Sequence, residues 1–135
     1  MNEENAPKQY LLLFRGSGWD KDLPLNELEQ AMDAVNTWFD KLQQRGIVKA
    51  AQALEAEGKV ITGRHGRPLS DGPFVESKET IGGFLLLEVE SLEEAMNVAK
   101  SNPILKYGGT TEIRPVAEEC PTFRRVKDRL ALAAA

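Results

Sequence analysis

The chain has 135 residues, 41% of them hydrophobic and 28% charged, which places it among globular chains of one domain and apart from disordered ones. Its net charge of -4 leaves no basic footprint for a nucleic-acid backbone, and its single cysteine, Cys120, permits neither an intrachain disulfide nor a multi-cysteine metal cage. Residues 1–8 lack the apolar core of a signal peptide and no apolar run approaches a membrane span, so the expected setting is the cytoplasm, with no membrane partner.

The first element is the continuous apolar run Tyr10 to Phe14, read as a buried strand that empties into the loop Gly16-Ser17-Gly18. Leu28, Ala31, Met32, Val35, Trp38, Phe39 and Leu42 then recur at helical spacing. Asn26 with Glu29 resembles a capping pair, Asp22 before Pro24 is an alternative start, and Gly46 stands where a left-handed terminator belongs. Ile47 to Leu54 reads as a strand, 55–58 as a turn, and Lys59 to Thr62 as a hairpin arm. Residues 63–83, rich in glycine, proline and charge, read as a long connection with a short strand at 68–70. Phe84 to Val89 is the strongest strand. Ser91 and Glu94 box the start of a second helix carrying Leu92, Ala95, Met96 and Ala99, and Asn102-Pro103 ends it. Thr110 to Val116 alternates as a last strand, and Phe123, Val126 and Leu130 suggest a short tail helix. Its cations Arg124, Arg125, Lys127 and Arg129, interrupted by Asp128, read as a solvated face.

The two halves echo each other, Leu11-Leu12-Leu13 preceding one helix and Leu85-Leu86-Leu87 the other. The order is strand, helix, strand, hairpin insertion, strand, helix, strand, which predicts an α+β, ferredoxin-like split βαβ sandwich. The expected organisation is one domain over 1–135, with its core at 8–116 and a tail at 117–135. Right-handed crossovers put both helices on one sheet face. Leucines would then line the other face as well, and a homodimer packed sheet on sheet is the simplest cover.

Phosphate-loop, dinucleotide, zinc-protease and nucleophile-elbow motifs are all missing, so neither cofactor nor metal is expected. Cys120 lies between Glu119 and Pro121, where acidic neighbours would keep its thiol protonated and inert. His65, beside Arg64 and Arg67, reads as a solvated loop residue. The informative stretch is Asp71-Gly72-Pro73-Phe74-Val75-Glu76-Ser77-Lys78-Glu79 followed by Gly82-Gly83. One reading is structural: an Asx-type turn, a fixed proline exit and a core-filling Phe74. The other is a small-molecule pocket in which Asp71 and Glu76 share a proton near neutral pH. Its expected ligand-binding set is Phe74, Lys78, Arg114 and His65. Glu112 and Arg114 point away from Ile113 and could complete such a site.

On these residues the chain resembles the YCII-related family, in its branch marked by the Asp71-Gly72-Pro73-Phe74 tetrapeptide. The matching text runs through Gly46-Ile47-Val48, Leu69 to Phe84, Leu92-Glu93-Glu94-Ala95, Pro103 and Glu112 to Val116, within Lys8 to Val116. The resemblance implies a ferredoxin-like protomer paired as a dimeric α/β barrel. Relatives of that fold include lactone isomerases, elimination enzymes on substituted aromatic rings and monooxygenases. It also implies Asp71 and Glu76 as pocket residues, and companionship with extracytoplasmic-function sigma factors. Characteristic members carry a histidine on the first helix paired with an aspartate; here Ala34-Val35-Asn36-Thr37-Trp38 has none. Two functions follow as expectations. One is an elimination or isomerisation enzyme using carboxylate acid-base chemistry. The alternative is a non-catalytic binding or regulatory module, associated with such a sigma factor.

Overall fold

The computed structural model describes residues 8–16, 18–64, 67–71 and 81–135. In chain order the elements are β1 (Lys8–Arg15), α1 (Leu25–Gln44), β2 (Val48–Ala53), β3 (Val60–Arg64), β4 (Arg67–Asp71), β5 (Ile81–Val89), α2 (Leu92–Lys100), a 3-10 turn (Pro103–Tyr107), β6 (Thr110–Pro115) and α3 (Pro121–Ala134). Four strands form one antiparallel sheet in the order β2-β5-β1-β6, and β3 pairs with β4 as a separate two-stranded sheet. With the hairpin set aside, this is the ferredoxin-like arrangement that the element order implies.

The period-two pattern of the central strands decides which face is core. Tyr10 and Leu12 of β1 sit opposite Leu87 and Leu85 of β5, and all four are buried. They pack with Leu42 of α1 and with Ala95, Val98 and Ala99 of α2, so both helices cover the same face. Leu12 and Leu87 are the largest fully buried side chains, each worth about 1.5–3 kcal/mol by transfer from water. The alternate residues Leu11, Leu13, Phe84 and Leu86 project from the opposite face and are half-buried. Beside them Glu112 accepts from Arg15 (Nη1–Oε1 2.7 Å) and faces Arg114 (Nη1–Oε2 3.6 Å).

Three local expectations change. Helix α1 begins at Leu25 behind Pro24 and has no side-chain cap, so Asn26 lies inside the first turn and neither it nor Asp22 caps the helix. The proline supplies the extended-to-helical entry instead. At the far end Gly46 takes φ 71° and its N–H bonds the Gln43 carbonyl, which is the expected left-handed stop. The second change is the hairpin: β3 pairs with β4 from Val60↔Asp71 to Arg64↔Arg67, while β2 pairs with β5. The short strand expected at 68–70 extends to Arg67–Asp71, and Pro68 is accommodated because a two-stranded ribbon consists only of edges, where a missing N–H is tolerated. Third, α3 is a 14-residue helix, longer than a short tail turn. The α2 cap is as expected on one side, Ser91 Oγ accepting from the Glu94 N–H at 3.1 Å; the Glu94 carboxylate reaches back to the Glu90 N–H at 3.2 Å.

Among the described residues, no helix is long and apolar enough to cross a membrane.

Candidate functional site

At the end of the sheet where β1 finishes and β5 begins, the chain leaves a cleft of about 200 Å³ lined by Phe14, Arg15, Gly16, Trp19, Gly82, Asn102, Ile104, Gly109, Thr110 and Thr111. One wall starts from the β1 exit. Gly16 and Gly18 take φ 86° and 89°, and the Lys21 N–H bonds the Gly18 carbonyl, so a tight turn brings Trp19 back toward the sheet. Trp19 stacks on Tyr107 with ring centroids 5.8 Å apart. The facing wall is the 3-10 turn. Buried Asn102 fixes its start by accepting from the Ile104 N–H at 3.0 Å. Its close is the bond from the Gly109 N–H to the Ile104 carbonyl, and a Cβ on Gly109 would collide with the Ile104 side chain.

Phe14 and Gly82 also border an adjoining hollow of about 300 Å³ that includes Ala51, Gln52, Gly83 and Phe84. The lack of a side chain at Gly82 leaves this end of β5 open, while at Gly83 it lets the β2 backbone pass close. Phe14 is held by an edge-to-face contact with Trp38 at 6.4 Å. Trp38 Nε1 in turn donates to Ser101 Oγ at 2.7 Å, and that hydroxyl donates to the Val98 carbonyl. The two helices thereby fix one side of the opening.

Two groups in the cleft can recognise a polar molecule. Thr111 Oγ1 is buried and has no hydrogen-bond partner among the described residues. A buried hydroxyl in that state costs roughly 1–3 kcal/mol, which a ligand atom would return. Arg15 supplies a cation at the rim, partly balanced by Glu112. A space near 200 Å³ suits one substituted six-membered ring, given that benzene fills a cavity of about 150 Å³.

The residues singled out from sequence distribute unevenly. Asp71 is the last residue of β4, paired across the ribbon with Val60. The chain resumes at Ile81, which pairs with Arg15 at the cleft rim. Phe74, Glu76, Lys78 and His65 lie outside the described residues. Arg114 is exposed on the open sheet face beside Glu112 and does not line the cleft. Sequence reasoning missed Trp19, Asn102 and Thr111. The glycine pair flanking residue 17 and the Asn102-Pro103 junction were legible as turns, but not as the two walls of one opening.

Cys120 reverses its expectation. It occupies the N-cap of α3, where the Phe123 N–H first, then the Thr122 N–H and hydroxyl, hold its thiol below the ordinary cysteine range. The helix-start amides favour the thiolate, and desolvation acts the other way. Glu119 is turned instead to Arg124 and Lys127 at 3.6 and 2.5 Å.

The model of the YCII-related domain matches residues 17–119. An uncharacterised protein of Rhizobium meliloti is 32% identical over 108 residues, covering 75% of this chain and 82% of that protein. Among solved structures, a 5-chloro-2-hydroxyhydroquinone dehydrochlorinase from Burkholderia phenoliruptrix, in complex with 2,5-dihydroxybenzoquinone, aligns at TM-score 0.49 and 17% identity, covering 82% of this chain and 95% of that one. A hydroxynitrile lyase from Passiflora edulis aligns at TM-score 0.35 and 14% identity, over 87% of this chain and 99% of that one.

Proposed function

The chain belongs to the YCII-related family, and from that premise we propose that it acts in the cytoplasm as a homodimer binding a one-ring small molecule in the cleft between Trp19 and the 3-10 turn, and that it moves a proton there in an elimination or isomerisation. The observation that carries the reading is the buried Thr111 hydroxyl, which lacks a partner among the described residues in an opening whose rim receives the chain at Ile81.

The chemistry divides among few groups. Asp71 takes or orients the mobile proton, and Glu76 is its partner acid or base. The Thr111 hydroxyl donates to a carbonyl oxygen as negative charge develops on it. Arg15 provides the cation for an anionic substituent, while Phe74, Lys78 and His65 complete the lining; Arg114, on the open sheet face, takes no part in this cleft. The dimer covers Leu11, Leu13, Phe84 and Leu86, which neither α1 nor α2 reaches, and forms the α/β barrel. A second reading, a non-catalytic module that senses a metabolite or docks a sigma factor, is favoured by the absence of a histidine from Ala34 to Trp38 on α1.

A carbon acid tests the first reading without knowledge of the natural substrate. 3-Oxocyclohexanecarboxylate offers a ring, a carbonyl for Thr111 and a carboxylate for an arginine. In D₂O, proton NMR should show exchange of its α-protons accelerated by the protein, lost in Asp71→Asn, and reduced in Thr111→Val. Binding without exchange in the unaltered chain would favour the non-catalytic module. Exchange untouched by Asp71→Asn would remove Asp71 from the chemistry.

A further inference from the structure

Helix α3 lies beyond the family match, which ends at residue 119, and every residue from 120 to 135 is exposed. Phe123, Val126 and Leu130 nevertheless recur at three and four along one side, with Phe123 67% and Leu130 64% exposed. A helix of 14 residues is marginal on its own in water, so its apolar side needs a surface to hold it.

The complementary surface is on α1. Leu25 and Met32 are 84% and 49% exposed, far more than core-facing helix positions, and Glu29 and Asp33 stand beside them. Leu25 to Met32 and Phe123 to Leu130 are each seven residues apart, so both stripes run about 10.5 Å along their helices. The charges are opposite as well. Of the chain's 17 basic and 21 acidic residues, α3 holds four and one, giving it +3, and the other 13 and 20 give the remainder -7; Arg124 and Lys127 already pair with Glu119, which leaves Arg125 and Arg129 for the second copy. Among the described residues, nothing covers either stripe.

We propose that α3 is an exchanged arm, its Phe123–Val126–Leu130 stripe packing against the Leu25–Met32 stripe of helix α1 in a second copy of this chain. The inference rests on the homodimer reading above and adds to it a contact separate from the sheet faces. It gives the appended helix a task that the cleft does not require.

Cys120, the single cysteine and exposed at the start of α3, offers a native attachment point. The full chain, carrying a benzophenone maleimide there, is mixed as equal parts of light and ¹⁵N-labelled protein and irradiated. Cross-links joining α1 to α3 in mixed-isotope pairs are expected; pairs of one isotope only would overturn the arm. In parallel, Phe123→Asp combined with Leu130→Asp should raise the dimer dissociation constant about 30-fold or more by sedimentation equilibrium, with circular dichroism unchanged outside the helix. A dimer with an unaltered constant overturns the arm and leaves the sheet-packed dimer standing. A chain monomeric with and without the substitutions overturns the dimer itself. Cosedimentation with phosphatidylglycerol vesicles, abolished by the double substitution while the dimer constant stays fixed, would assign the stripe to an anionic lipid surface and refute the second copy.

Discussion

Two adjacent glycines at the cleft should respond oppositely to the same added methyl group. A Cβ at Gly83 would lie 2.7 Å from the Gln52 carbonyl oxygen and 3.3 Å from the Ala53 Cα, both backbone atoms of β2. Backbone cannot rotate aside as a side-chain tip can, so β2 and β5 must separate by several tenths of an ångström. Overpacking of this kind costs about 1–3 kcal/mol. For a chain of this size each kcal/mol corresponds to about 3–6 °C in Tm, so Gly83→Ala should melt roughly 8 °C lower. At Gly82 the same methyl meets only the Phe14 carbonyl oxygen at 3.8 Å, an ordinary contact. Gly82→Ala should therefore stay within about 0.5 kcal/mol of the unaltered chain while narrowing both hollows. Thermal melts followed by circular dichroism decide the matter. Equal Tm values for the two variants, or a larger fall in Gly82→Ala, would refute the β2–β5 register on which the cleft is built.

Leu87→Ala empties a fully buried site at the centre of the sheet and should cost about 2–5 kcal/mol in urea unfolding; a cost below about 1 kcal/mol would show that the core lies elsewhere. Ser91→Ala removes the α2 cap and should cost about 1 kcal/mol, with Ser91→Gly recovering most of it. Because the folded N-cap favours the Cys120 thiolate, iodoacetamide should alkylate the folded chain along a pH profile whose midpoint lies below that of the chain in urea. Coincident midpoints would contradict the helix-end bonds to its sulfur.

The sheet and its helix-covered face were legible because period-two and period-3.6 patterns are direct consequences of burial. Leu85, Leu87 and Val89 alternate, and Ala95 and Ala99 recur at four, so strands and helices could be named from residues alone, though the helix stripes were drawn too wide, since Met32, Leu92 and Met96 are exposed. The β3–β4 ribbon was legible as short strands at Lys59 to Thr62 and 68–70, but not in its full extent to Arg67–Asp71 or in the pairing of the two with each other. The entry of α1 differs because Asn26 and Glu29 satisfy the capping spacing while Pro24 sets the backbone two residues earlier. The cleft was least legible of all. Trp19 and Asn102 come from two separate connections and Thr111 from strand β6, and the antiparallel pairing of β1 with β6, Phe14 opposite Thr111, brings them together. No local pattern encodes that meeting. The Cys120 environment was invisible for a related reason, since neighbouring side chains were readable and the helix amides bonding the sulfur were not.

The cleft as the ligand site is tested most directly by titrating ¹⁵N-labelled protein with 3-oxocyclohexanecarboxylate and following backbone amide shifts. Saturable shifts grouped at Trp19, Gly82, Thr110 and Thr111, with weaker affinity in Thr111→Val, are the predicted result. Shifts confined to the groove of Asp33, Lys41 and Arg45 between the helices, or no saturable shift at any concentration, would contradict it.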